Sequence, residues 1–484
     1  MSSPLKHVLA LRVPGTVVSD LKKALTPKEF KKYLHLYLWP VHLVLQTQAN
    51  TSDMVFKKSQ GFVPLNFEGK IKPVVSGKPV LQTLKSSGIL VPKRNSKGRE
   101  TYTTGTVSKS FTIGDKYHLD NMIELVFNNR GFIKKCKRTE AKEISEPKPG
   151  VERYLRKVFN DFELDSYSKT YCDLKRALTH LRVAANELGT YEHIRLKKRL
   201  PHLIKSIEDN GHTASQVIKE LECIASYKKG RYATDMLQIR QFELGEIFFK
   251  RAPKGDRIFT TANLMPRDLR KFIKHKRGKA LFEADIRNCQ PLMLCGLLKK
   301  RYRGKWETDL LLYKDLCEKG KFYNYLFKVM YGIELDEMSE ETRIRFKEKL
   351  FGYVYYCNIY ESASYSEYVI TFKKEFPTVY TFIIEYKTEH GYKALSTEMQ
   401  RVESKLMINT VCTQLKDNKC SVLSIHDGLI VTEDEIEHTE TLLQEAFEKK
   451  QGLMPEIARK RIKPHDIALY KRFDYLANAV SISI

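Results

Sequence analysis

Arg343, Lys347, Phe351 and Tyr355 recur at intervals of four residues, and that spacing constrains this chain more than any other feature. On a helix it places all four side chains on one slowly drifting face. The face carries two cations, then an aromatic ring, then a phenol, and Gly352 permits close approach beside the ring. A nucleoside triphosphate matches that order, with cations for its phosphates and rings for its base and sugar. An amphipathic surface helix with an aromatic stripe would show the same spacing, so the flanking segments decide between the two readings.

Upstream, residues 280–294 run from an apolar, strand-like stretch into Asp285. A short polar turn follows, then an apolar helix start with Pro291 near its first turn. Downstream, residues 420–431 place β-branched stretches on both sides of His426-Asp427-Gly428, which reads as a hairpin with the acid at its tip. If the chemistry is nucleotidyl transfer, two carboxylates must meet beside this helix to hold a pair of divalent cations, one to activate an attacking 3′ oxygen and the other to neutralise a leaving pyrophosphate. Hard oxygen ligands suit magnesium.

In this order the three segments resemble the catalytic motifs of family A (Pol I-like) DNA polymerases and the phage-type single-subunit polymerases. The helix resembles that family's fingers pattern, R-x3-K-x3-F-G-x2-Y. A further patch, Asp256 to Asn263 followed by Arg270, resembles the segment that contacts primer and template backbone ahead of the first motif. The resemblance spans roughly residues 255–460, under half of the chain. It implies an α+β fold of right-hand architecture, with an antiparallel palm sheet and helical fingers and thumb. Asp285 and Asp427 would hold two magnesium ions, with manganese as a substitute. Lys347 would act as a catalytic group beside the pyrophosphate, and Arg343 would grip the triphosphate. Phe351 and Tyr355 would stack on the nascent pair. His426, Arg257, Asn263, Arg270 and Arg401 would contact primer and template.

Three positions depart from the family pattern. Gln290 stands where a glutamate is expected five residues after the first aspartate, Gly428 follows His-Asp, and Tyr356 replaces the glycine after the fingers tyrosine. The first departure bears on the sugar: Gln290 keeps the bulk that excludes a ribose 2′-hydroxyl but loses the charge. The resemblance therefore implies a DNA-directed DNA polymerase, with RNA synthesis, priming or template-independent tailing as the alternative on the same fold. A non-catalytic DNA-binding replication factor is a third reading. Against it stands the retained acid pair, since clustered unpaired acids destabilise a chain that has no use for them.

Composition agrees with a polyanionic partner. The 484 residues carry a formal charge of +26, and stacked Lys and Arg repel unless phosphates neutralise them. At 42% hydrophobic residues the chain is globular and long enough for two to four units. No apolar run is long enough to span a membrane, and the first residues show no signal-peptide pattern, so no membrane partner is expected. The nine cysteines lack C-x2-C pairing, which argues against zinc and for a reducing interior, the cytoplasm of a bacterium or a phage-infected cell. Cys289 and Cys295 read as small buried hydrophobes.

The chain divides by pattern into an N-terminal α+β module over 1–130, a linker over 131–150, a helical thumb-like region over 151–255 and a palm and fingers unit over 256–484. Within the first, a helix stopped by Gly88, a basic turn over 93–100 and strands at Thr101-Tyr102 and Ser108 to Phe111 would suit a winged helix; an ordinary α+β subdomain has the same pattern. The linker is lysine- and proline-rich. Asp161-Phe-Glu163 has the D-x-E form of a proofreading exonuclease motif, but no further acids follow in a βαβ context, so no proofreading is expected. The helix start at Ser396 fills the slot of a palm helix that touches the template minor groove. Arg401, Glu403 and Lys405 would then face nucleic acid, or form a solvated side.

Overall fold

A computed structural model describes residues 8–51, 56, 59–75, 77–100, 109–118, 120–140, 149–185, 201–224, 231–306, 308–357, 366–463 and 467–481. It is a mixed α+β structure with small antiparallel sheets and three apolar cores.

The N-terminal core gathers around one long helix, Pro27–Ala49. Thr26 and Glu29 close its first turn reciprocally, the arrangement that satisfies the free N–H groups of a helix start. Its buried side chains pack on the paired strands Leu9–Pro14 and Met122–Phe127, and on a three-stranded sheet of Val63–Pro64, Ser110–Ile113 and Leu90–Pro92. The basic turn after Leu90 is closed by a bridge between Arg94 and Glu100. The wing strand expected at Thr101-Tyr102 lies outside the described residues. The expected linker needs correction. Its first part continues as the helix Arg130–Glu140, which buries Phe132, Ile133 and Cys136, while 141–148 lie outside the described residues.

The second core is helical. Helices Tyr167–Ala185, Ala214–Ile224 and Tyr232–Glu243 enclose Tyr171, Leu178, Val217 and Phe242. Two further elements enter it from the far end of the chain, helices Ile467–Arg472 and Asp474–Ser481, through Tyr470, Phe473 and Leu476. The unit expected over 256–484 therefore gives its last helices to the helical region. Asp161 precedes and Glu163 sits within a short strand, Phe162–Leu164, paired with Ile273–His275, and Asp161 accepts a hydrogen bond from the Ser421 hydroxyl.

The third core carries the site. A four-stranded antiparallel sheet runs in the order Leu423–Ile425, Gly428–Thr432, Leu281–Ile286, Ile457–Arg461. Lys460 lies on the edge strand of this sheet. Ala284, Ile286, Leu429 and Val431 face the third core, while Leu281, Leu423, Ile425 and Ile430 face the helical one. Among the described residues only helices and turns lie between the strand Leu281–Ile286 and the hairpin, from Cys289–Arg301 to Cys412–Asp417.

Candidate active site

Strand pairing puts the two acids side by side. Asp285 lies opposite Gly428 in the ladder, and the Ile286 amide donates to the Asp427 carbonyl at 3.4 Å. The turn that carries Asp427 is only His426-Asp427, and it holds His426 at φ 56°; Asn288, after the first acid, sits at φ 55°. Left-handed backbone at side-chain-bearing residues is uncommon, and it concentrates at sites the surrounding fold over-determines.

Burial pushes Asp285 above the usual carboxylate range, and the charges of Asp427 and Glu283 push it further. Burial raises Asp427 as well, against the pull of Arg257. Glu283 stands two residues before Asp285 on the same strand face, and a Cβ at Gly428 would meet Asp285 Oδ1 at 3.4 Å and Glu283 Oε1 at 3.5 Å. A cation between these groups would relieve their mutual repulsion, and an all-carboxylate donor set fits magnesium or manganese. Among the described residues no three acids, histidines or cysteines converge on one point, so phosphate and water oxygens would complete the coordination.

The helix Glu340–Leu350 faces this pair across a cleft of about 480 Å³. Ser339 caps its start through the Thr342 amide, acids occupy its first turn and lysines its last, all favourable to the helix dipole. Arg343, Lys347 and Phe351 line the cleft, as do Asp285, Asp427 and Gln290. The Lys347 ammonium lies 4.9 Å from the Tyr323 ring centre; burial lowers its pKa while Asp285 pulls it up. Two further cations line the cleft that the sequence reading missed, Arg267 and Arg287. Arg287 is two residues past Asp285, a position readable from the turn itself. Arg267 forms a 3.6 Å ion pair with Glu340 across the cleft, and Arg287 a 3.2 Å pair with Glu456.

Four expectations change. Tyr355 is fully buried, its hydroxyl 2.9 Å from that of Tyr313, so it presents no ring to the cleft. Asn263 is also buried; its carboxamide oxygen accepts from the Thr260 amide and hydroxyl and closes a short helix. Glu403 faces protein, not nucleic acid, and is 1% exposed. Arg257 is held by it through two bonds of 2.8 and 2.6 Å, and so serves the protein interior before any phosphate. Burial raises the Glu403 pKa to about 7 against the pull of Arg257. With Arg257 on both of its oxygens Glu403 accepts from the Gln290 amide nitrogen at 2.5 Å, which leaves Gln290 Oε1 buried without a partner.

His426 packs edge-on against Phe259, with ring centres 5.3 Å apart. Burial, then the charges of Arg257 and Arg270, push its pKa down to about 3, so it is neutral in use. Arg270 is half-buried, and burial lowers its pKa against the pull of Glu283. Arg401 is exposed, donating to the Lys254 carbonyl at 2.7 Å and pairing with Glu398. Cys289 and Cys295 are buried as expected of small hydrophobes.

No protein-family model matches the chain, and no curated protein matches it. Among solved structures, the POL domain of Pol1 from M. smegmatis, in complex with DNA primer-template and dNTP, is similar at a TM-score of 0.36 and 12% sequence identity, covering 68% of this chain and 72% of that one. A likeness at that level fixes neither fold nor function.

Proposed function

We propose that the chain is a template-directed nucleic-acid polymerase, a nucleotidyltransferase that extends a 3′ end, with DNA as its product. One observation carries the reading: Asp285 and Asp427, distant in sequence, meet on paired strands in the same cleft as Arg343 and Lys347. Bound divalent cations would supply the acidity that activates the 3′-hydroxyl and the charge that offsets pyrophosphate. Asp285 and Asp427 would hold them. Arg343, Lys347, Arg267 and Arg287 would bind the triphosphate, and Lys347, its proton already loosened by burial, would hand that proton to the departing pyrophosphate. Arg257 and Glu403 set the floor under the sugar through Gln290. His426, Arg270 and Arg401 would meet primer and template. The full length of Gln290 at the sugar favours deoxynucleotides by sterics.

The test is incorporation of labelled nucleotides on primed and unprimed templates. Asp285→Asn and Asp427→Asn should each lower the rate by on the order of a thousandfold or more, because each removes several kcal/mol of transition-state stabilisation. Template affinity should hold within about twofold, since the basic grip is intact. Wild-type-like incorporation by either variant would overturn the assignment.

A further inference from the structure

One extra residue in a helical turn rotates all that follows by about 100°. The chain makes such a turn directly after the cationic helix, where Phe351–Tyr356 adopt π-helical form, and wide turns of this kind recur at functional sites. Regular α spacing would put Tyr355 on the face of Phe351 and Lys347. In the wide turn Tyr355 keeps its ring 5.1 Å from that of Phe351 but is fully buried, against Phe372 and Tyr313. Tyr356 takes the outward place. It is 40% exposed, its ring centre lies 5.6 Å from that of Phe351 at 32°, and its phenol feels the charges of Arg257, Glu403 and Asp427.

One side chain secures this geometry. Lys387, on the helix Pro377–His390, is 3% exposed and donates from Nζ to the Val354 carbonyl at 2.8 Å and the Cys357 carbonyl at 3.1 Å. Both carbonyls lie at the end of the wide turn. Burial pushes its pKa down to about 8. An ammonium buried on neutral acceptors costs more than an apolar core residue of its size. Its position beneath a single turn assigns that cost to the turn.

We propose that Lys387 is a positioning residue for the incoming nucleotide: by clamping the end of the wide turn it buries Tyr355 and presents Tyr356, beside Phe351, as the ring on which the nascent base pair stacks. This rests on the nucleotide-transfer reading above. The full chain should be assayed on a primed template carrying 2-aminopurine at the templating position, as wild type, Tyr356→Ala, Tyr355→Phe and Lys387→Met. Tyr356→Ala should raise the nucleotide KM roughly tenfold or more, the scale of one lost stacking contact, and brighten 2-aminopurine, with primer–template affinity unchanged. Tyr355→Phe should lower the melting temperature only. Lys387→Met should reproduce the KM of Tyr356→Ala, and the double variant should be no worse than either single one, because the two act through one contact. If Lys387→Met does not fold, Tyr356→Ala against Tyr355→Phe decides. An active wild type with an unshifted Tyr356→Ala, a KM effect in Tyr355→Phe, or multiplying single effects overturns this proposal alone. A wild type inactive on every template removes it together with the function it rests on.

Discussion

Gln290 shows how a single side chain is read one way from sequence and another from its neighbours. By length alone it keeps the bulk of the glutamate in the pattern it resembles. What sequence leaves open is how the amide is turned, and Glu403, more than a hundred positions away, accepts a hydrogen bond from its nitrogen. Glu403 itself looked like a surface residue because its neighbours Arg401 and Lys405 are exposed; its burial follows from the ion pair with Arg257, which no local pattern contains. Truncating Gln290→Ala should raise ribonucleotide incorporation relative to deoxynucleotide by roughly tenfold to a hundredfold, the range that one steric contact provides. An unchanged ratio in competition assays would show that the sugar is chosen elsewhere. Asp285, Asp427, Arg343, Lys347 and Phe351 line one cleft, and their grouping is legible because each sits on a short local element. Asn263 and Tyr355 were misread because a cap and a widened turn redirect side chains without leaving a periodic signature.

At the scale of elements, the strand–turn–helix around Asp285, the hairpin around Asp427 and the cationic helix follow the pattern of their residues, boundaries included to within a few positions. The N-terminal helix Pro27–Ala49 adds a testable consequence of burial. His42, near its middle, is 5% exposed and meets the Arg12 backbone at 3.2 Å. Burial is the largest of the effects that hold its pKa down to about 4. Unfolded, the same ring titrates near 6.5, so it takes up a proton in the unfolded state first. Stability present above pH 6.5 is therefore lost as pH falls towards 4, on the order of 2 kcal/mol of it by pH 5. Urea midpoints measured from pH 7.5 to 5 should fall for the wild type and fall less for His42→Asn. Parallel slopes would place the acid sensitivity at other groups.

For the molecule as a whole, charge was readable at once and division into units only in part. The +26 excess predicts that template affinity drops steeply with salt, by roughly 10³-fold or more between 50 and 200 mM if six or more phosphates are contacted. A flat dependence in filter binding would leave no nucleic-acid channel for these cations. What composition does not convey is that the helical core is closed by Tyr470, Phe473 and Leu476, or that the cationic helix lies in an insertion between the strand Leu281–Ile286 and the hairpin. That topology has a consequence for synthesis. A nascent chain emerges with its N-terminal core complete, but Asp285 has no partner acid until Asp427 follows, and the sheet beneath both acquires its edge only at Ile457–Arg461. On the proposed function, ribosome-stalled fragments ending before the hairpin would hold one of the two acids and the full cationic helix, and should bind nucleotide or template without incorporating it.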